Sequence, residues 1–211
     1  MRLFVIFSLV VGWLFAFDVS ILKVDKNYAK IDSYIKKGIS GYVICKYENE
    51  PIICARAVAY GNIVKFYDYD ELKNPAFAVP KVYPQKGDKI ILGKNYDRIL
   101  IIAPNQEAYI KTAQMYKNFT IISPDVFAPF IDDMPEVEDF KKFAQDFNIG
   151  RIIFVLDKIY EVDSFSFYAI KTKKIDFASN FKKAFFASYP KFDITDKNIL
   201  SYYKSLIKGI K

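Results

Sequence analysis

The sequence predicts an α+β protein: a small N-terminal antiparallel β-barrel or sandwich, then an α/β half with a mixed sheet and a C-terminal helix. Three observations carry this. From Asp18 to about Lys94, short stretches rich in β-branched and aromatic residues alternate with turn residues. After Asn95, continuously apolar runs alternate with stretches of helical periodicity, the rhythm of strands buried on both faces between helices. Finally, Thr195 to Lys208 places Ile199, Tyr202, Tyr203, Leu206 and Ile207 on one side of a helix that Gly209 can end. The expected organisation is a signal peptide over 1–16, a β-rich subdomain over 17–95 and an α/β subdomain with its C-terminal helix over 96–211.

The leader sets the compartment. Arg2 precedes an unbroken apolar run from Leu3 to Ala16. A membrane-crossing helix needs roughly 20 apolar residues, so this run is short for an anchor and suits a secretory signal cut after Ala16. The mature chain is then expected to begin at Phe17, to carry no transmembrane helix and to work in the periplasm or at the cell surface.

In the β-rich part, Val19–Val24, Tyr42–Cys45, Ile52–Ala59 and Asn62–Tyr67 read as strands, with a tight turn at Gly61-Asn62. Pro75 to Pro84 reads as an extended connection, because its prolines forbid helix. Lys86-Gly-Asp88 turns into a further strand, Lys89–Leu92. The two cysteines, Cys45 and Cys54, face each other if a hairpin turns at Asn49-Glu50, near the Cβ spacing a disulfide requires. An oxidising compartment would close that bond, with a structural role.

In the α/β part, Arg98–Ala103, Phe119–Ile122 and Arg151–Leu156 are the buried strands. Asn105 is placed to cap a first helix bearing Tyr109, Thr112, Ala113 and Tyr116. Ser123-Pro124-Asp125 is a second helix start. Pro135 and Glu136 open a third, with Val137, Phe140, Phe143, Ala144 and Phe147 as its stripe and Gly150 as its stop. Lys158–Tyr160 and Phe165–Ile170 continue the sheet antiparallel. Lys171, Lys173 and Lys174 suit the solvent side of an edge strand, where lysine discourages aggregation.

Composition narrows function. The chain carries 31 basic and 24 acidic residues, a net charge of +7, and only Arg2, Arg56, Arg98 and Arg151 are not lysine among the basic ones. In an exported protein this argues for acidic proteins or anionic surfaces as partners and against nucleic acid. There is no histidine, which excludes imidazole bases, Ser-His-Asp and Cys-His arrangements and the ordinary zinc sites. Asp68-Tyr-Asp70-Glu71 lacks the glycine and distal glutamate of a calcium loop and reads as a turn. No glycine-rich phosphate loop follows the first buried strand. The expectation is a protein without cofactor or metal, and not an enzyme. At the far end stand Lys204, Lys208 and Lys211. A terminal lysine joins an ammonium, an apolar stem and a carboxylate that one groove can recognise together.

At Lys86-Gly-Asp88, Ile101-Ile-Ala-Pro-Asn105, Ile121-Ile-Ser-Pro-Asp125 and Phe185-Phe-Ala187, from roughly Val43 to Pro190, the chain resembles the N-terminal domain of the bacterial plasminogen-binding surface proteins. The resemblance implies an exported protein that captures host plasminogen through lysine-binding kringle domains, with Lys211 matching the terminal lysine preferred there, and a part in host interaction and virulence. Binding members of that family carry a long charged tail beyond this domain, whereas this sequence stops at Lys211. The alternative is a periplasmic structural or assembly protein docked on an envelope partner, without plasminogen activity.

Overall fold

The computed structural model describes residues 16–69, 81–177, 181–188 and 198–210. The expected signal peptide up to residue 15, Asp70 and Glu71, the first part of the Pro75–Pro84 connection, and Lys211 lie outside the described residues. The architecture is α+β, as expected.

Among the described residues, five strands close a barrel: β1 (Phe17–Asp25), β2 (Tyr28–Ile35), β3 (Ser40–Tyr47), β4 (Glu50–Asp68) and β5 (Lys89–Leu92), in the order β1-β2-β4-β3-β5 with β5 returning to β1. Every pairing is antiparallel. Alternation fills the lumen: Val19, Ile21, Ala29, Ile31, Val43, Ala57, Val64, Ile90 and Leu92 are all buried. The Lys86-Gly-Asp88 turn forms as expected, with Gly87 at φ 94° and the Asp88 carboxylate accepting from Gln85 N–H at 2.7 Å. β2 has no counterpart among the expected strands. Lys30, Asp32, Ser33 and Tyr34 face solvent there and dilute the β-branched signal that Ala29, Ile31 and Ile35 supply from inside.

Two local expectations are corrected. The chain does not reverse at Gly61-Asn62: β4 runs on for 19 residues, its first half paired with β3 and its second with β2. Gly61 has φ 80° and lies where the β2–β4 register shifts, so it bends a strand that must wrap a small barrel. The second correction concerns the hairpin, which turns at Glu48-Asn49, with φ 49° and 70°, so that Cys45 pairs with Ile52. The Cys45–Cys54 disulfide is nevertheless present, with Cα atoms 5.7 Å apart. A register slip supplies the reason: Ile44 pairs with Ile53 and Val43 with Ala55, leaving Cys54 as the extra residue of a bulge that reaches Cys45 diagonally.

The second sheet contains β6 (Arg98–Ile102), β7 (Thr120–Ile122), β8 (Arg151–Val155), β9 (Lys158–Asp163) and β10 (Ala169–Lys174), ordered β10-β9-β8-β6-β7. β6 is parallel to β7 and β8, and the rest is antiparallel, giving a mixed sheet. Its helices are α1 (Gln106–Met115), α2 (Pro124–Phe127) with a 3-10 turn after it, α3 (Val137–Asp146) and α4 (Ile199–Leu206). Leu100, Ile102, Ile152 and Phe154 face a core with Phe127, Phe140, Phe143 and Tyr203 from α2, α3 and α4. Ile99, Ile101, Ile153 and Val155 face the opposite core, beneath Ala108 and Tyr116 of the α1 segment. The central strands are apolar throughout because helices cover both sides.

The caps follow the sequence. Asn105 Oδ1 accepts from Ala108 N–H at 2.9 Å, and Ser123 Oγ from Asp125 N–H at 3.2 Å. Glu136 and Asp139 form a reciprocal capping box on α3. Gly150 does not stop α3, which ends at Asp146 with Asn148 taking the left-handed φ of 53°. Gly150 is needed for closeness instead, since a Cβ there would stand 2.3 Å from Asn95 O. The return strand begins at Ala169 rather than Phe165, because residues 164–166 turn around the Asp163 carboxylate. β10 is an edge strand carrying Lys171, Lys173 and Lys174, as expected.

Replacing both cysteines (Cys45→Ser with Cys54→Ser) is expected to lower stability by about 2 kcal/mol, a short loop being released in the unfolded chain. Urea unfolding of both proteins followed by tyrosine fluorescence checks this.

Candidate functional site

Two groups of polar residues stand out, one buried and one exposed. The buried group joins barrel to sheet. Asp163, at the end of β9, is fully buried and its carboxylate accepts five hydrogen bonds. Oδ2 takes Ser40 N–H and Oγ–H, both at 2.8 Å, and the Tyr96 hydroxyl at 2.6 Å. Oδ1 takes the Phe165 and Ser166 N–H groups at 3.1 and 2.7 Å. Ser40 opens β3 of the barrel, so this one carboxylate ties both halves.

Beside it, Arg151 donates to Tyr96 O through Nε, at 2.7 Å, and also through Nη2. Its Nη1 meets Glu161 Oε2 at 2.7 Å, in a pair only 1% and 3% exposed. Glu161 Oε1 accepts from the Tyr116 hydroxyl at 2.8 Å. A buried ion pair is tolerable only when its remaining polar atoms are satisfied, and here neighbouring backbone and phenols satisfy them. Burial, reinforced by the Asp163 charge and hydrogen bond, holds the Tyr96 phenol well above the ordinary range. Burial and Glu161 do the same for Tyr116. Sequence reading missed this set. The signal available was Arg151, Glu161 and Asp163 standing in or beside apolar strands, where an isolated charge needs a partner.

The exposed group surrounds the end of α4. Ile199, Tyr203 and Ile207 are buried, and the Tyr203 hydroxyl donates to Ala184 O at 2.7 Å. Lys208 N–H then donates to Phe167 O at 2.8 Å, and Lys208 O accepts from Ala169 N–H at 2.9 Å, a parallel bridge beside Tyr168. Backbone bonds thus fix Lys208 while its side chain stays exposed, the ammonium 5.9 Å from the Tyr168 ring centroid. Lys37 stands 4.9 Å from the same ring and 5.5 Å from that of Tyr60. Lys204 is half-exposed and bonded to Asp157 Oδ2 at 2.9 Å. Asp157 Oδ1 accepts from the Tyr160 hydroxyl at 3.0 Å. Burial raises the Asp157 carboxyl, but the hydrogen bonds from Lys204 and Tyr160 and the Lys204 charge outweigh it and lower the group below its usual value. The Tyr160 phenol is pushed up to about 12 by burial and by Asp157. Lys204 and Lys208 therefore share one segment, with Lys37 approaching Tyr168 from the barrel. Among the described residues no cluster of three or more acids or cysteines is placed to hold a metal, and no helix is long and apolar enough to cross a membrane.

A family model described as the N-terminal part of the plasminogen-binding protein pgbA matches residues 16–207. The chain belongs to that family. Its relatives include the plasminogen-binding protein PgbA of Helicobacter pylori strain J99, 24% identical over 196 residues that cover 84% of this chain and 44% of the relative. PgbA of strain 26695 is likewise 24% identical, over 84% of this chain and 43% of the relative. The chain spans less than half the length of these relatives, whose names describe a binding protein. No solved structure matches the chain.

Two outcomes follow from the buried set. Asp163→Asn is expected to cost about 3 kcal/mol, since an amide cannot accept from all five donors; urea unfolding checks it. Tyr96 and Tyr116 hold their protons in the folded chain above the free-phenol value of 10.0. Their contribution is therefore whole below that pH and is lost as pH rises further, where the unfolded chain ionises. Stability should fall above pH 10, less steeply in Tyr96→Phe, as measured by unfolding across pH 8 to 11.

Proposed function

We propose that this chain is an exported binding domain that presents lysines to the kringle domains of plasminogen. The observation that carries the reading is the family match across nearly the whole chain. The α4 segment supports it physically. A kringle groove grips an ammonium on an apolar stem, and Lys208 offers one on a backbone pinned at both its N–H and its carbonyl. A fixed backbone leaves less chain entropy to lose on binding. Lys204 is the second candidate, although its ammonium must first leave Asp157. Lys211 is the third, and with Lys208 and Lys204 completes the proposed contact. The apolar leader supports export to the periplasm or the cell surface, and the absence of histidine supports a binding role over an enzymatic one.

A second reading is a periplasmic structural or assembly protein of the cell envelope without plasminogen activity, to which the absence of histidine-based catalytic sets lends equal support. The two separate in one experiment. Immobilised plasminogen is exposed to the purified protein with and without excess free lysine analogue. Specific, analogue-sensitive binding that drops about tenfold in Lys208→Ala with Lys211→Ala, and less in Lys204→Ala, is the expected result. Binding absent from the parent protein leaves the scaffold reading.

A further inference from the structure

Where the barrel meets α3 there is a cleft, edged by Ser40 and Phe165 of the buried network and away from the lysines of α4. One lobe has a volume of about 410 Å³ and a second, beside it, about 460 Å³. Tyr42, Lys94, Asn95 and Asn148 line both, so the lobes adjoin. The charge is one-sided. Arg56, Lys141 and Lys142 join Lys94 around the first lobe, and Arg98 joins it in the second. Among the described lining residues the acid is Glu138, which is engaged by Lys141 at 2.8 Å.

Some of these cations are held in place. The Arg56 guanidinium stands 4.8 Å from the Tyr42 ring centroid and 4.4 Å from that of Phe165, and donates to the Tyr42 hydroxyl at 3.2 Å. Arg98 is pinned by two donations to Phe147 O, at 3.3 and 3.0 Å. Lys94 and Lys142 are exposed at the rim, Lys94 lying 5.4 Å from the Tyr42 ring. Between them the amides of Asn95, Gln145 and Asn148 offer both donors and acceptors. A concave site walled by cations concentrates its field on an anion.

We propose that this cleft binds an acidic, sugar-sized ligand, a phosphate or carboxylate carried on a hydroxylated body. Lys94, Lys142 and Arg98 would attract the acid group, and the three amides would meet the hydroxyls. The lobe volumes lie in the range of small-ligand sites. The site is separate from the proposed plasminogen contact, and either can fail without the other.

The test is a titration of the ¹⁵N-labelled protein, at low salt, with glucose 6-phosphate, glucuronate and neutral glucose. Saturable shifts around Lys94, Asn95 and Asn148 with an acidic sugar, and none with glucose, are expected. A response to only one acid supports the proposal and identifies which acid group is read. Lys94→Gln with Lys142→Gln, both rim residues that leave the core untouched, should weaken binding about tenfold or more. Lys23→Gln with Lys30→Gln, on β1 and β2 outside the cleft, should not. No saturable shift with either acid, equal binding of glucose, or equal weakening by the β1–β2 variant would overturn it.

Discussion

A single buried carboxylate organises this molecule. Asp163 lies at the end of β9, yet its partners come from the first residue of β3, from the connection between β5 and β6, and from the turn that follows it. An ionised group out of water is costly unless every lone pair is occupied, and here five donors converge on two oxygens. The same donors would be orphaned without it. Barrel and sheet are thus held by mutual need as well as by apolar contact.

The Arg151–Glu161 pair extends that arrangement through the sheet. Arg151 reaches Tyr96 O on one side and Glu161 on the other, and Glu161 takes the Tyr116 hydroxyl from the end of α1. The Phe119 ring lies 4.8 Å from the guanidinium, so the charge is covered by an aromatic face where no hydrogen bond is made. The opposite face of the sheet is different in kind. Phe127, Phe140, Phe143 and Phe154 pack there with ring centroids 4.9 to 5.3 Å apart in successive pairs. One face is specified by polar geometry and the other by ring packing.

Much of this was legible in the sequence wherever one local rule sufficed. The apolar runs 98–103 and 151–156, the Asn105 and Ser123 caps and the lysines of β10 each follow from neighbours in the chain. What escaped depends on partners far away. Gly61 looks like a turn residue, and only the barrel's curvature makes it a bend within one strand. Gly150 looks like a helix stop, and only Asn95 shows why it must lack a side chain. β2 is half polar because one of its faces is solvated. For the exposed site, position alone marks Lys204 and Lys208 as candidates. Their unequal circumstances, one ion-paired and one held by its backbone over a tyrosine, arise from contacts with Asp157 and Tyr168 that no spacing could reveal. The cationic cleft was equally hidden, since its walls come from β3, β4, α3 and the loops beside them.

Barrel closure has a consequence for how the chain reaches its final form. β1 is sealed by β5, and the Ser40 side chain is held by a residue 123 positions further along. Contacts so distant in sequence form slowly, because a long loop must close before they reward it. A chain made from its N-terminus therefore has all five barrel strands before Asp163 exists, so the barrel can pair first and gain its tie to the sheet last.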